Sequence, residues 1–257
     1  MMIEVQSLGF RHGSASHDLF ENLSFTLARG QTLALLGRNG RGKTTLLKCM
    51  AGLLTPSAGT VRCAGAVGYV PQQFAAPFDY TVCDVVLMGR ARHIGMFSSP
   101  STEDRRHAED AIGMVGLHHL ADRAIGSLSG GERQLALIAR ALASEAEIVL
   151  LDEPASALDF RNQALMLALL HRLSRERGLT IVMTTHEPTH ALEIADRAVL
   201  LHGGGRHEEG SMAEVCTEAG LTTLYGIPMR CLDRRHGDDA AAHVVADFGY
   251  FKQDRHG

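Results

Sequence analysis

The chain has 257 residues, with 25 Lys and Arg against 29 Asp and Glu for a formal net charge of −4, and it is 45% apolar and 21% charged. That length holds one large α/β domain or two modest ones, and the composition is globular, which excludes wholesale disorder. Mild acidity, the absence of Trp and an aromatic content of 5% point away from a strongly basic nucleic-acid binder and from a base-stacking single-strand binder. No stretch approaches the ~18–20 apolar residues of a membrane-crossing helix, and MMIEVQSLGF lacks the charged and apolar regions of a secretory signal. The five cysteines, Cys49, Cys63, Cys83, Cys216 and Cys231, are scattered and never form C-x-x-C, so the expectation is a reducing cytosol with neither disulfides nor a thiolate zinc site.

In chain order, the first continuous apolar run is Thr32–Leu36 (TLALL), the pattern of a strand buried on both faces. It leads into Gly37-Arg38-Asn39-Gly40-Arg41-Gly42-Lys43-Thr44, which matches G-x-x-x-x-G-K-[ST] and is followed by a helix predicted over residues 43–54. Glycines let successive N–H groups turn inward toward an anion, and the helix N-terminus adds its positive end. Lys43 then reaches the β- and γ-phosphates and the Thr44 hydroxyl holds Mg²⁺, so the expectation is a nucleoside triphosphate site. Thr45 continues the first helical turn.

Residues 73–127 carry little strand signal, with a helix predicted over 102–115 and a loop over 95–101, so they are read as a helical insertion. Leu128-Ser129-Gly130-Gly131-Glu132 contains the capping box S-x-x-E before a helix over 132–143. The capping box does not account for Gly130 and Gly131, which are poor in a first helical turn unless something must come close to the backbone. The site therefore reads as a second anion-binding helix N-terminus. Ile148–Leu151 is another buried strand and ends in Asp152-Glu153. Ligands of open parallel sheets bind at the carboxyl ends of strands, so Asp152 is expected to be a second Mg²⁺ anchor and Glu153 to polarise an attacking water. A helix over 162–177, a strand over 179–184, a helix over 188–195 and a strand over 198–201 complete an alternating pattern that implies a mostly parallel sheet. From about Arg230 the sequence is compatible with a loose tail or a small add-on. The fourteen histidines show no zinc spacing.

Taken in order, Gly37–Thr44, Leu128–Glu132, Ile148–Glu153, Ser156-Ala157-Leu158-Asp159 and Thr185-His186 resemble the ATP-binding subunit of ABC transporters over residues 3–228. The resemblance implies an α/β P-loop NTPase (RecA-like) fold with N-terminal antiparallel strands. The ATP-binding domain would span 1–228, with a helical subdomain inserted at about 74–140 and a C-terminal tail at 229–257. It implies ATP and Mg²⁺ as ligands and a head-to-tail dimer in which each ATP is held between one chain's phosphate loop and the other's LSGGE. In that dimer Ser129 and Gly131 touch the γ-phosphate across the seam and Asp159 lies at the seam. It further implies that His186 holds the γ-phosphate and the attacking water, that Gln72, rather than Gln73, senses Mg²⁺, and that Phe10 stacks on adenine, the alternative for Phe10 being a core aromatic at a strand end. Arg41 departs from the small residue usual at its place; it either adds a cation near the phosphates or points to solvent, and solvent is the first expectation.

The resemblance also supplies partners: two separate membrane permease subunits and, indirectly, a solute-binding protein, with no nucleic acid, at the cytoplasmic face of the inner membrane. The region from Phe78 to Pro100 resembles importers of ferric siderophores, haem and cobalamin, and those of molybdate or tungstate. The short link from LTPSAG to Tyr69 is similar to zinc and manganese importers. Ferric siderophore is the first expectation for the solute and molybdate the second. The rivals are a soluble ABC ATPase of DNA repair or translation, which the single phosphate loop and lack of heptads disfavour, and a non-enzymatic binding module, which the presence of Glu153 and His186 disfavours.

Overall fold

In the computed structural model the described residues are 1–11, 18–74, 78–95, 97–236 and 239–247, and of 233–236 and 239–243 only the backbone is described. The chain begins with β1 (Ile3–Phe10) and β2 (Phe20–Leu27), followed by β3 (Thr32–Leu36), α1 (Lys43–Met50), β4 (Ala58–Cys63) and β5 (Val67–Val70). The insertion contributes α2 (Val82–Leu87), a 3₁₀ turn (Met88–His93), α3 (Thr102–Met114) and α4 (Gly130–Ala143). Then come β6 (Ile148–Leu151), α5 (Phe160–Arg177), β7 (Thr180–Thr185), α6 (Pro188–Ile194), β8 (Arg197–Gly203) and β9 (Arg206–Ser211). The last elements are α7 (Met212–Val215), α8 (Glu218–Tyr225), β10 (Met229–His236) and β11 (Asp239–Ala246).

Six strands form the central sheet in the order β5-β6-β7-β3-β8-β9. All neighbours are parallel except β8 and β9. The continuous apolar strands are explained by two cores. Leu33, Leu35, Ile148, Leu150, Val182, Val199 and Leu201 pack with α1 and the small antiparallel sheet β2-β1-β4. Ala34, Leu36, Val149, Leu151, Ile181, Met183, Ala198 and Leu200 pack with the apolar stripes of α4, α5 and α6 and with the insertion. Strand alternation sends neighbouring side chains to opposite faces, so a strand covered on both sides must be apolar throughout.

This sheet puts the candidate residues in one place. Leu36 pairs with Thr185, Val70 with Leu151, and Leu151 with Met183. The carboxyl ends of β3 and β7 are therefore level, those of β5 and β6 stop two residues short of them, and Gly37, Gln72, Asp152 and His186 emerge along one edge.

The sequence and the structure differ at several boundaries. The helix expected to run to residue 54 ends at Met50, because Gly52 takes a left-handed φ of 69°, a common way for a helix to stop. The stretch beginning near Arg230 is a β hairpin, with β10 paired to β11 from Met229↔Ala246 onward. The Thr189 hydroxyl of α6 donates to the Val244 carbonyl, and Met229 and Val244 join the core beneath the sheet. His256 and the closing KQDRHG lie outside the described residues, as does Met96 of the loop at 95–101.

Gly59 sets the junction of β4 with β1. Its φ is +77°, and a Cβ there would overlap the carbonyls of Gln6 and Ser7. Gly59→Ala is expected to cost at least ~1–3 kcal/mol, from backbone strain alone, and to lower the urea midpoint of unfolding. An unchanged midpoint would mean that the β1–β4 junction yields freely.

Candidate functional site

The phosphate loop leaves β3 at Gly37, where a Cβ would stand 2.7 Å from the Leu201 carbonyl, and passes through Gly40 and Gly42 with φ of 75° and 93°. Gly42 occupies the N-cap of α1 without a side-chain cap, so the first N–H groups of the helix stay available to an anion. Lys43 is buried, and its Nζ donates to the carbonyls of Gly37 (2.8 Å) and Arg38 (3.4 Å) and lies 3.8 Å from Glu153. Burial lowers the Lys43 pKa, opposed by the charges of Glu153 and Asp152. The site therefore holds a buried cation that an anion beside it would stabilise.

Asp152 and Glu153 are fixed by hydroxyls from two other elements. Thr44 Oγ1 donates to Asp152 Oδ1 at 3.0 Å, and Thr184 Oγ1 donates to the same oxygen at 2.8 Å. Thr184 Oγ1 in turn accepts the backbone N–H of Glu153 at 2.8 Å. Glu153 is a non-glycine residue with a left-handed φ of 47°, a conformation costing ~1–3 kcal/mol that surrounding contacts must hold in place. Its carboxylate receives the Gln72 amide at 3.1 Å, and His186 Nδ1 stands 3.3 Å from the same oxygen. The Tyr225 hydroxyl donates to the His186 carbonyl at 3.0 Å, which ties the histidine loop to α8. Arg38 is exposed at the outer side of the loop. Leu19, Asn39 to Thr45, Gln72 and Glu153 line a pocket of about 380 Å³.

Two candidates sit differently from expectation. Phe10 is 7% exposed and packs against Phe20, with ring centroids 6.2 Å apart. It is not among the residues that line the pocket, because β1 turns its ring into the core under the small sheet. Arg41 was expected in solvent, yet its side chain folds over Gly203, where a Cβ would collide with it, and its Nε is buried without a hydrogen-bond partner. The run Gly203-Gly204-Gly205, all at positive φ, makes the low turn that admits this side chain.

Ser129 caps α4 in a full capping box with Glu132. Gly130 lines a separate concavity of about 330 Å³ that shares Gln72 and Glu153 with the phosphate pocket. Gly131 packs against Leu158, whereas a Cβ at Gly130 would meet open space. Glycine in a helical turn costs ~1 kcal/mol relative to Ala, and at Gly130 no contact within the chain requires it. Asp159 caps α5 by accepting the Asn162 N–H at 2.8 Å. The sequence assigns no role to Thr184 or Tyr225, and names Ser156 only as the start of the Ser156–Asp159 motif. Two threonines following the apolar Ile181–Met183 in the fully buried strand TIVMTT were the available signal for the first. Ser156 accepts a hydrogen bond from Gln72 at 3.4 Å, a contact no spacing foretells.

The family model for the ABC transporter matches residues 20–156, which is more than half of the chain. The chain belongs to the ABC transporter ATP-binding family. A molybdate import ATP-binding protein of Haemophilus influenzae is 44% identical to it over 95% of each chain. A solved structure described as an inward-facing metal-chelate type ABC transporter is 40% identical, covers 97% of this chain and 99% of its own, and superposes with a TM-score of 0.92. A dimeric bacterial ABC transporter cassette is 27% identical over 81% of this chain and 98% of its own, with a TM-score of 0.70. The fold is thus the ABC ATPase fold, with the phosphate loop at the edge of a mostly parallel sheet. Among the described residues no helix is long and apolar enough to cross a membrane.

Proposed function

We propose that this ABC subunit hydrolyses ATP to power import of a metal oxyanion or metal chelate, with molybdate first and ferric siderophore second. The observation that carries the chemistry is the convergence of Lys43, Thr44, Asp152, Glu153, Gln72 and His186 at the carboxyl ends of four neighbouring strands. Gly37 to Thr45 wrap the triphosphate with backbone N–H groups and Lys43. Thr44, Asp152 and Gln72 are hard oxygen donors of the kind Mg²⁺ takes, and two hydroxyls already orient Asp152. The metal supplies charge neutralisation on the phosphates. Glu153 accepts the proton of the attacking water, and His186 and Gln72 hold that water against the carboxylate. The established role of such a base is worth ~10²–10⁴-fold.

Ser129, Gly130 and Gly131 act on a second copy's nucleotide, with Asp159 at the seam. The support is Gly130, whose missing Cβ serves nothing inside the chain, together with the dimeric cassette of the same fold. Mixing Lys43→Ala with Ser129→Arg chains tests this. Each is inactive alone, but a mixed dimer contains one intact and one doubly damaged site, so part of the activity returns. Activity that stays absent at every mixing ratio contradicts the arrangement.

Molybdate stands ahead of ferric siderophore because the relative sharing 44% of its residues over 95% of both chains is a molybdate importer subunit. Permease subunits, a binding protein and a peripheral place on the cytoplasmic face of the inner membrane follow from the same reading. Deleting the gene is expected to abolish molybdoenzyme activity at low molybdate, with recovery at high molybdate. Normal molybdoenzyme activity with failed growth on ferric siderophore as sole iron source would reverse the order. Membrane subunits should copurify with the chain, and nucleic acid in their place would favour a repair or translation ATPase.

A further inference from the structure

The far end of α4, opposite Ser129–Gly131, is held by a buried cation that the site chemistry does not use. Arg90 is 5% exposed. Its Nη1 donates to the carbonyl of Ala143 at 2.9 Å and to Glu145 at 2.8 Å, and its Nε donates to Asp104 at 3.1 Å. Ala143 is the last residue of α4, so the bonded carbonyl is one of those a helix leaves unpaired at its negative end. Asp104 belongs to the first turn of α3 and closes a capping box with Ser101. Hydrogen bonds from Ser101, and then from Arg90, hold its pKa down to about 2, which keeps the Arg90 partner ionised. Glu145, the other partner, has a left-handed φ of 55° without being glycine, and its carboxylate also lies 3.3 Å from His93.

Gly89 provides the close approach. Its φ is not positive, yet a Cβ there would overlap the Arg140 carbonyl in the last turn of α4. Glycine is therefore required by contact, not by conformation. The 3₁₀ turn bearing Gly89 and Arg90 continues directly from α2, so one guanidinium joins α2, the start of α3 and the end of α4. A helix of 14 residues is about 20 Å long at ~1.5 Å per residue and moves as a unit. A shift at Ala143 is passed to Ser129.

We propose that Arg90, seated by Gly89, is a positioning residue that sets the axial placement of α4 and through it the presentation of Ser129–Gly131 to the second copy's nucleotide. This rests on the head-to-tail dimer of the proposed function, a sandwich of two chains around ATP.

The test uses the full chain carrying Glu153→Gln, which is expected to retain ATP. Into it are placed Gly89→Ala, Arg90→Met or Arg90→Lys. ATP affinity is measured by calorimetry at concentrations where the chain is monomeric, and ATP-dependent dimerisation by sedimentation. Monomer ATP affinity should stay within about twofold, while the dimer dissociation constant rises about tenfold or more for Gly89→Ala and Arg90→Met, the scale on which small misplacements act. Arg90→Lys, which keeps the charge, should recover part of the loss. If Arg90→Met does not fold, Gly89→Ala and Arg90→Lys decide the matter, because neither leaves a buried carboxylate without a cation. Unchanged dimerisation in folded variants, or an equal fall in monomer ATP affinity, overturns the role of Arg90. Failure of the Glu153→Gln parent itself to dimerise with ATP overturns the sandwich, and with it the role of Arg90.

Discussion

Glu153→Gln is expected to lower the rate of phosphate release at saturating ATP by roughly 10²–10⁴-fold while leaving ATP bound. The amide keeps the shape of the side chain and can still meet Gln72 and His186, which approach the same oxygen at 3.1 and 3.3 Å. It cannot take a proton from water. The backbone of Glu153 is pinned by Thr184 at 2.8 Å in its left-handed conformation, so the substitution changes chemistry without releasing the loop. A variant that hydrolyses ATP at the parental rate would make Glu153 a loop acid that merely borders the pocket.

Lys43→Ala is expected to weaken ATP binding by the loss of a buried charge-assisted contact, ~1.5–3 kcal/mol or about 10- to 150-fold in affinity. The same change also acts on the protein without ATP, in two opposing ways. The folded-state pKa of Lys43 lies below its ordinary value because of burial. A lysine whose pKa is lowered on folding makes the charged form cost stability below that pKa, whereas truncation to Ala also removes the Nζ hydrogen bonds to the Gly37 and Arg38 carbonyls and the buried methylenes. The readout is therefore the ATP-induced increase in melting temperature, taken relative to each variant's own value without ATP, and it is expected to disappear. Calorimetric titration with unchanged affinity would sink the assignment of the phosphate site.

Much of the site was legible because its chemistry is carried by contiguous residues at strand ends. Thr32–Leu36 and Ile148–Leu151 coincide with β3 and β6, since a strand covered on both faces leaves a continuous apolar run. Glycines and acids just past such runs can only lie at the carboxyl edge. Contacts between distant segments were less visible. Thr184 reads as one more β-branched strand residue until the sheet places its hydroxyl between Asp152 and the Glu153 backbone. Arg41 looked solvent-facing because nothing local announces the bare turn at Gly203 over which it lies. Phe10 resembled a base-stacking aromatic by position, but β1 aims it into the core against Phe20. The hairpin of β10 and β11 lacks strong alternation, so the Gly-Asp pair between its two runs, a dipeptide of the hairpin kind, did not stand out, and the hairpin also docks against α6.

The central claim, that one chain's Ser129–Gly131 completes another chain's phosphate site, is tested most directly by the mass of Glu153→Gln in solution. With Mg²⁺ and ATP, light scattering should register a doubling from 27.7 kDa, and adding Ser129→Arg to the same chain should hold it at the monomer mass with ATP still bound. A chain that stays monomeric with saturating ATP, or a Ser129→Arg variant that dimerises as readily as its parent, would contradict the account.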